Sequence, residues 1–355
     1  MSEAETRSVM SGAETLFPKY YSRFACKAER CTHNCCIGWE IDIDGATAEK
    51  YESLDGKIGE DIRKNTAKSG DVSHFLMKNG RCPMLCEDNL CRIIRELGDG
   101  ALCEICREHP RYYNTLSGVT LGGVGMSCEA AAELILSETA PTLYGDISPL
   151  LDKDDEDYGR AALIAEVLFK TESILCSERI SEMDKIKSAL LAAQELEGAI
   201  SKLYFGSCED GESFAYADIF DEHLGEAEPL ATQALRDLLP SLEFMSDRLT
   251  KTVEGAKWKK VVAAWRCSAD FRRVILNSLG YLVARYLPRA DGDFKPSSFI
   301  LGSMIILALL FSECQCFSKG KEGFDRVPDE ITRAAVLYSE EIEYSEDNVE
   351  KMNLL

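Results

Sequence analysis

Ten of the fifteen cysteines of this chain fall between Cys26 and Cys128, at spacings short enough to place several sulfurs around one centre. They stand as Cys26, Cys31-x3-Cys35-Cys36, Cys82-x3-Cys86-x4-Cys91, Cys103-x2-Cys106 and Cys128. Thiolates crowded in this way repel one another unless a cation neutralises them. A soft metal ion or an iron–sulfur cluster does that. A disulfide framework is the competing reading. It fits poorly, because adjacent cysteines such as Cys35 and Cys36 rarely pair and disulfide-dense chains are small and secreted. His33 and His109 sit inside the same motifs and are expected to donate to sulfur rather than to ligate directly.

The elements that must hold these residues divide the chain in two. Residues 17–140 carry the cysteines, many glycines and short irregular segments, and metal–ligand bonds are expected to replace part of the missing core there. Within this part, Trp39 to Asp44 alternates apolar and acidic residues and predicts a short strand, while 46–64 and 128–136 predict helices. The acidic run 152–157, after Pro141 and Pro149, marks a boundary. Beyond it, residues 158–345 read as an α-helical domain. Ile180, Met183, Ile186, Leu190, Ala193, Leu196, Ile200 and Leu203 recur every three or four positions and make one apolar helix face. Further helices are expected over 230–249, interrupted at Pro240, over 253–287, over 299–311 and over 329–344. The expected fold is therefore mainly α, with an N-terminal cysteine-rich, loop-rich metal-binding domain packed against a C-terminal helical domain.

Charge narrows the partners. The formal net charge is −21, which argues against a phosphate-backbone ligand and so against nucleic acid. An acidic surface suits the steering of a lysine-bearing protein. No secretory signal is visible in the sequence MSEAETRSVM, and the apolar stretch Phe299 to Phe311 is shorter than the ~18–20 residues of a membrane span. A cytoplasmic protein with no membrane partner is expected, in a compartment where thiolate-bound metals persist.

The motifs also carry a resemblance. Read together they give C-x3-CC, then CP-x-L-x5-C-x-I from Cys82 to Ile93, then CR-x-x-P from Cys106 to Pro110. That ordered set resembles the CxxxCC (YkgJ-like) family of zinc- or iron-chelating domains. Phe24-Ala-Cys26 precedes it, Gly38-Trp39-Glu-Ile-Asp-Ile-Asp44 follows its first motif, and Ser127-Cys128-Glu-Ala-Ala leads into a helix. Downstream come Tyr281-Leu-Val-Ala-Arg-Tyr-Leu-Pro288 and Asp291-Gly-Asp293. The whole series, dense over residues 20 to 130, looks like the flagellin lysine-N-methylase family of the FliB type.

That resemblance implies an enzyme moving a methyl group from S-adenosylmethionine to surface lysines of flagellin or another lysine-bearing protein. It also implies a cysteine-bound 4Fe-4S cluster, with zinc as the alternative metal. The motif positions carried over are Cys26, Cys31, Cys35, Cys36, Cys82, Cys91, Cys106 and Cys128; the family pattern does not demand Cys86 or Cys103. Eight thiolates exceed the four a single cluster takes, so two centres, a cluster beside a zinc, or some structural cysteines all remain open. The C-x3-C-x2-C spacing of radical S-adenosylmethionine enzymes is absent. The competing function is a non-enzymatic metal-chelating or cluster-carrying module with a helical interaction domain.

Methyl transfer itself asks for a neutral lysine. At pH 7 about one unperturbed lysine in two thousand or fewer is neutral, so a base or a desolvated pocket is needed. Asp42 and Asp44 are candidates for that base, as are Asp291 and Asp293, and Trp39, Tyr112 and Tyr113 for an aromatic wall around the ammonium. Arg107 and Arg111 could hold the methionine carboxylate or offset cluster charge. Gly122-Gly123-Val-Gly125 could cradle the cofactor, although a flexible loop is the simpler expectation.

Overall fold

The computed structural model describes residues 7–10, 13–206, 230–318, 323–324 and 326–355. Helix dominates these residues, and strands are few and short. The chain forms two compact units: a smaller one of residues 25–112 with 128–130, and a larger one from the remainder. Residues 113–127 and 131–140 therefore cluster with the larger unit. Cys208 and His223, neither assigned a role by the motifs, lie outside the described residues.

The larger unit is built around helix Pro296–Ser312, every residue of which is buried. A helix that is apolar all round has no face to offer water and belongs in a core. None of the described helices is long and apolar enough to cross a membrane. Helices Glu182–Phe205, Trp258–Cys267, Ala269–Tyr286 and Asp329–Tyr338 pack against it. The periodic face expected from Ile180 onward is borne out: Met183, Ile186, Leu190, Ala193, Leu196 and Ile200 are buried on Glu182–Phe205, which begins on a Ser181 N-cap. Leu203, at its end, is half exposed.

Two expectations for the larger unit need correction. The continuous helix over 253–287 is three helices, Arg248–Gly255, Trp258–Cys267 and Ala269–Tyr286. Ser268 breaks the last junction. Its backbone is extended and its side chain accepts from the Phe271 amide, so it caps a new helix instead of continuing the old one. The second correction concerns Gly122 and Gly123, which are not in a loop. They lie in a strand whose close packing leaves no room for a side chain at 122: a Cβ there would stand 2.4 Å from the Phe17 ring.

That strand belongs to a four-stranded sheet. In chain order its members are β1 (Arg7–Met10), β2 (Ala13–Leu16), β6 (Arg111–Leu116) and β7 (Val119–Val124), placed side by side as β1-β2-β7-β6. β1 and β2 run antiparallel, and β2 pairs in parallel with β7. Ser117 and Gly118 form the two-residue turn between β6 and β7, both at positive φ (40° and 82°), the geometry that matches the twist of a hairpin. Ser117 is held there by bonds to Asp152: its hydroxyl donates to the Asp152 carbonyl and its own carbonyl accepts from the Asp152 amide.

The smaller unit has a three-stranded sheet in the order β3-β5-β4, formed by β3 (Asp42–Ile43), β4 (Thr66–Ser69) and β5 (Val72–Phe75). The helix expected over 46–64 is two, Gly45–Ser53 and Gly56–Lys64. The corner is fixed by Arg63, whose guanidinium donates to the carbonyls of Tyr51, Glu52 and Leu54 at the end of the first helix. These elements close over one apolar cluster of Ile41, Ile43, Tyr51, Ile58, Ile62, Phe75, Met84, Leu85 and Ile93, and the buried thiols Cys82 and Cys103 are part of it.

Candidate functional site

All ten crowded cysteines lie in the smaller unit. The fourteen described cysteines of the chain are free thiols. Local hydrogen bonding explains how distant segments deliver their sulfurs. The Cys36 amide donates to the Asn34 side chain. The Cys82 amide donates to the Cys36 carbonyl and the Gly38 amide to the Gly80 carbonyl, which lays segment 36–38 along 80–82. Residues 82–91 fold back on themselves, with the Cys86 amide on the Leu90 carbonyl and the Arg92 amide on the Met84 carbonyl. Cys91 and Cys103 each stand at an N-cap, of helices Arg92–Leu97 and Glu104–Glu108, and Cys106 follows one turn into the second.

The outcome is a set of thiols in one core. Cys36, Cys91 and Cys106 pack against the cluster that contains Cys82 and Cys103. Cys35 hydrogen-bonds to Cys36, and Cys103 to Cys106. Those bonds, together with burial and the neighbouring sulfurs, push the Cys36 and Cys106 thiols far above the ordinary range, while the partners Cys35 and Cys103 are lowered. Burial raises Cys82 to about 11 and raises Cys91 as well. Six thiols so placed cannot ionise together unaided, and a cationic centre is the species that would let them. Cys86 lies beside this set, near Cys91 and the Arg95 guanidinium. Among the described residues, no three His, Cys, Asp or Glu side chains converge tightly enough to be a ready-made metal cage.

Cys31 instead lies near Cys26, Cys128 and Glu129. The Glu129 carboxylate is almost wholly buried. It accepts from Lys27 Nζ (2.7 Å), the Thr32 amide and hydroxyl (both 2.7 Å) and the His33 amide (3.0 Å). Burial alone would raise its pKa, but these four donors outweigh burial and hold it at about 2. Cys31 is pushed up to about 12, by burial first and then by the Glu129 charge. Its thiol donates to the His33 carbonyl. Glu129 thus braces the loop that carries the C-x3-CC motif.

The other residues singled out by sequence fall as follows. Asp44 is a helix N-cap, accepting from the Thr47 amide at 2.9 Å and from the Glu104 amide at 2.8 Å. Both its oxygens are used, which suits positioning better than proton abstraction. Asp42 is exposed on β3 and lines a shallow cavity of about 390 Å³ with Asp71, Val72 and Glu104. Trp39 is half-buried. Arg107 is half exposed, its Nε 3.4 Å from Glu108, and Arg111 donates to the Arg107 carbonyl. Tyr113 meets Phe17 edge-on, and Phe17 in turn stacks on Tyr21. Asp291 accepts from the amides of Asp293 and Phe294 and so closes a turn.

Residues that spacing did not suggest also matter. Cys103 belongs to the thiol set although the motif does not require it. In the larger unit, Tyr281 and Tyr286 both donate to the buried Glu343 carboxylate (2.8 and 3.0 Å), with Arg285 3.5 Å from it. Glu343 closes a π-helical turn, Ser339–Glu343. Such turns depart from the i, i+4 pattern that periodicity reads.

No family model matches the chain, and no solved structure matches it. Curated relatives do. A lysine-N-methylase from Salmonella typhimurium is 30% identical over 129 residues, which is 34% of this chain and 32% of that protein. The lysine-N-methylase from Salmonella choleraesuis matches to the same extent. The flagellar biosynthetic protein FliU from Salmonella muenchen is 28% identical over 137 residues, 36% of this chain and 80% of that protein. The match spans about a third of the length of the lysine-N-methylases. Over that shared segment the chain is similar to lysine-N-methylases of the FliB type and to FliU.

Proposed function

We propose that this protein is a lysine N-methyltransferase that takes its methyl group from S-adenosylmethionine and acts on surface lysines of flagellin. The observation that carries the reading is the similarity to proteins named lysine-N-methylase, supported by a flagellar protein of related sequence. In the reaction the lone pair of a neutral lysine amine attacks the sulfonium methyl. A nitrogen–carbon bond forms, the carbon–sulfur pair stays on sulfur, and S-adenosylhomocysteine leaves. The ammonium proton must depart first, to a carboxylate or to solvent. The acidic surface suits a lysine-bearing acceptor.

A 4Fe-4S cluster would take four thiolates from among Cys35, Cys36, Cys82, Cys91, Cys103 and Cys106; all but the exposed Cys35, which adjoins Cys36, belong to or pack against one apolar core. Methyl transfer by displacement does not need its electrons, so its part in this reading is to hold the loops of the smaller unit together. Incubating anaerobically purified protein with methyl-labelled S-adenosylmethionine and flagellin tests the function. Label in flagellin lysines supports it. Flagellin left unlabelled by folded, metal-loaded protein refutes it.

A further inference from the structure

The larger unit contains a cavity of about 610 Å³ that no motif pointed to. It lies among loop residues 139–141, the turn 177–181 that starts helix Glu182–Phe205, and one face of helix Ala269–Tyr286. This size falls within the ~300–1,000 Å³ of small-molecule sites.

Its floor holds two polar atoms that the fold leaves unsatisfied. Asn277 is 2% exposed. Its amide nitrogen is spent on the Leu136 and Glu138 carbonyls, while its oxygen has no partner. Arg273, one helical turn earlier, pairs through Nη2 with Asp270 at 2.8 Å and leaves Nε without a partner. Leaving buried donors and acceptors unpaired costs about 1–3 kcal/mol each, and residues one helical turn apart share a helix face, so an acceptor and a donor belong to the same wall of the cavity. The complementary edge carries an N–H beside a ring nitrogen, as an aminopurine does. The rim has both signs of charge, with Arg179 and Lys185 against Glu178 and Glu182, which suits a zwitterion.

We propose that this cavity binds the adenosyl amino acid that donates the methyl group, with its purine on Asn277 and Arg273 and its amino-acid end on the charged rim. The assignment rests on the methyltransferase reading and adds to it the place where the donor sits.

Calorimetry with S-adenosylhomocysteine, on the whole chain, tests it. Two variants are compared with the native protein: Arg179→Glu with Lys185→Glu, which reverses the rim without touching the core, and Asn277→Leu, checked for folding by circular dichroism. The rim variant should weaken binding at least tenfold, and ligand should slow amide exchange in 176–185 and 269–277. Native-like binding by the folded rim variant, with protection elsewhere, would overturn the assignment and leave the methyltransferase reading standing. Absence of binding to the native protein would overturn both.

Discussion

Replacing Glu129 by alanine should loosen the first cysteine loop more than any other single change in the smaller unit. The carboxylate holds one ammonium, two backbone amides and one hydroxyl, all within 3.0 Å. Lys27 is only 15% exposed at this pair, so water replaces little of what is lost. Removing one partner of a largely buried, hydrogen-bonded ion pair costs about 3–5 kcal/mol, because the other charge stays largely buried without its partner. At 1.4 kcal/mol per tenfold, that is roughly two to three and a half orders of magnitude in the local opening equilibrium. Hydrogen exchange on the Thr32 and His33 amides reads this equilibrium directly. In Glu129→Ala both should exchange at least a hundredfold faster, while amides of helix Pro296–Ser312 keep their rates. Adding Lys27→Ala should recover part of the loss, since it removes the stranded charge. If exchange at Thr32 and His33 changes by less than threefold, the carboxylate is not what braces the C-x3-CC loop.

Other consequences can be checked on the same protein. Serine at Cys36, Cys82, Cys91 or Cys106 should each lower bound iron and sulfide, whereas serine at Cys176 or Cys267 should leave both unchanged; equal loss from both groups would mislocate the centre. Gly122→Ala should cost about 1–3 kcal/mol by overpacking against Phe17, and Phe17→Leu should relieve part of it in a double-mutant cycle followed by urea unfolding. Asp44→Ala should cost ~0.5–2 kcal/mol through the lost cap without abolishing turnover; complete loss of activity in a folded, metal-loaded variant would restore Asp44 as a catalytic base.

Much of the larger unit was legible because its helices bury one face each. The spacing from Met183 to Ile200 and the unbroken apolar run of 299–311 leave few alternatives. Helix Tyr158–Leu175 carries the same period at Ala161, Ile164, Leu168, Thr171 and Leu175, but it starts directly after the acidic run, whose charge reads as a boundary. The hairpin of β6 and β7 is not legible, because its strands mix glycine and polar residues and only Ser117-Gly118 marks the turn. Ser268 reads as an ordinary polar residue until its side chain is seen capping the next helix. In the candidate site, spacing identified the cysteines but not their partition. Neighbours such as Cys36 and Cys82 are brought together by backbone bonds between 36–38 and 80–82, and Glu129 reaches the first loop from almost a hundred residues away, distances in sequence that no motif spans.

The most direct test of the account is the intact mass of flagellin produced with and without this protein in the same cells. With the protein, lysine-containing peptides should gain about 14 Da per methyl group while keeping their charge. Identical masses in the two preparations, with the protein present in folded form, would contradict the central claim.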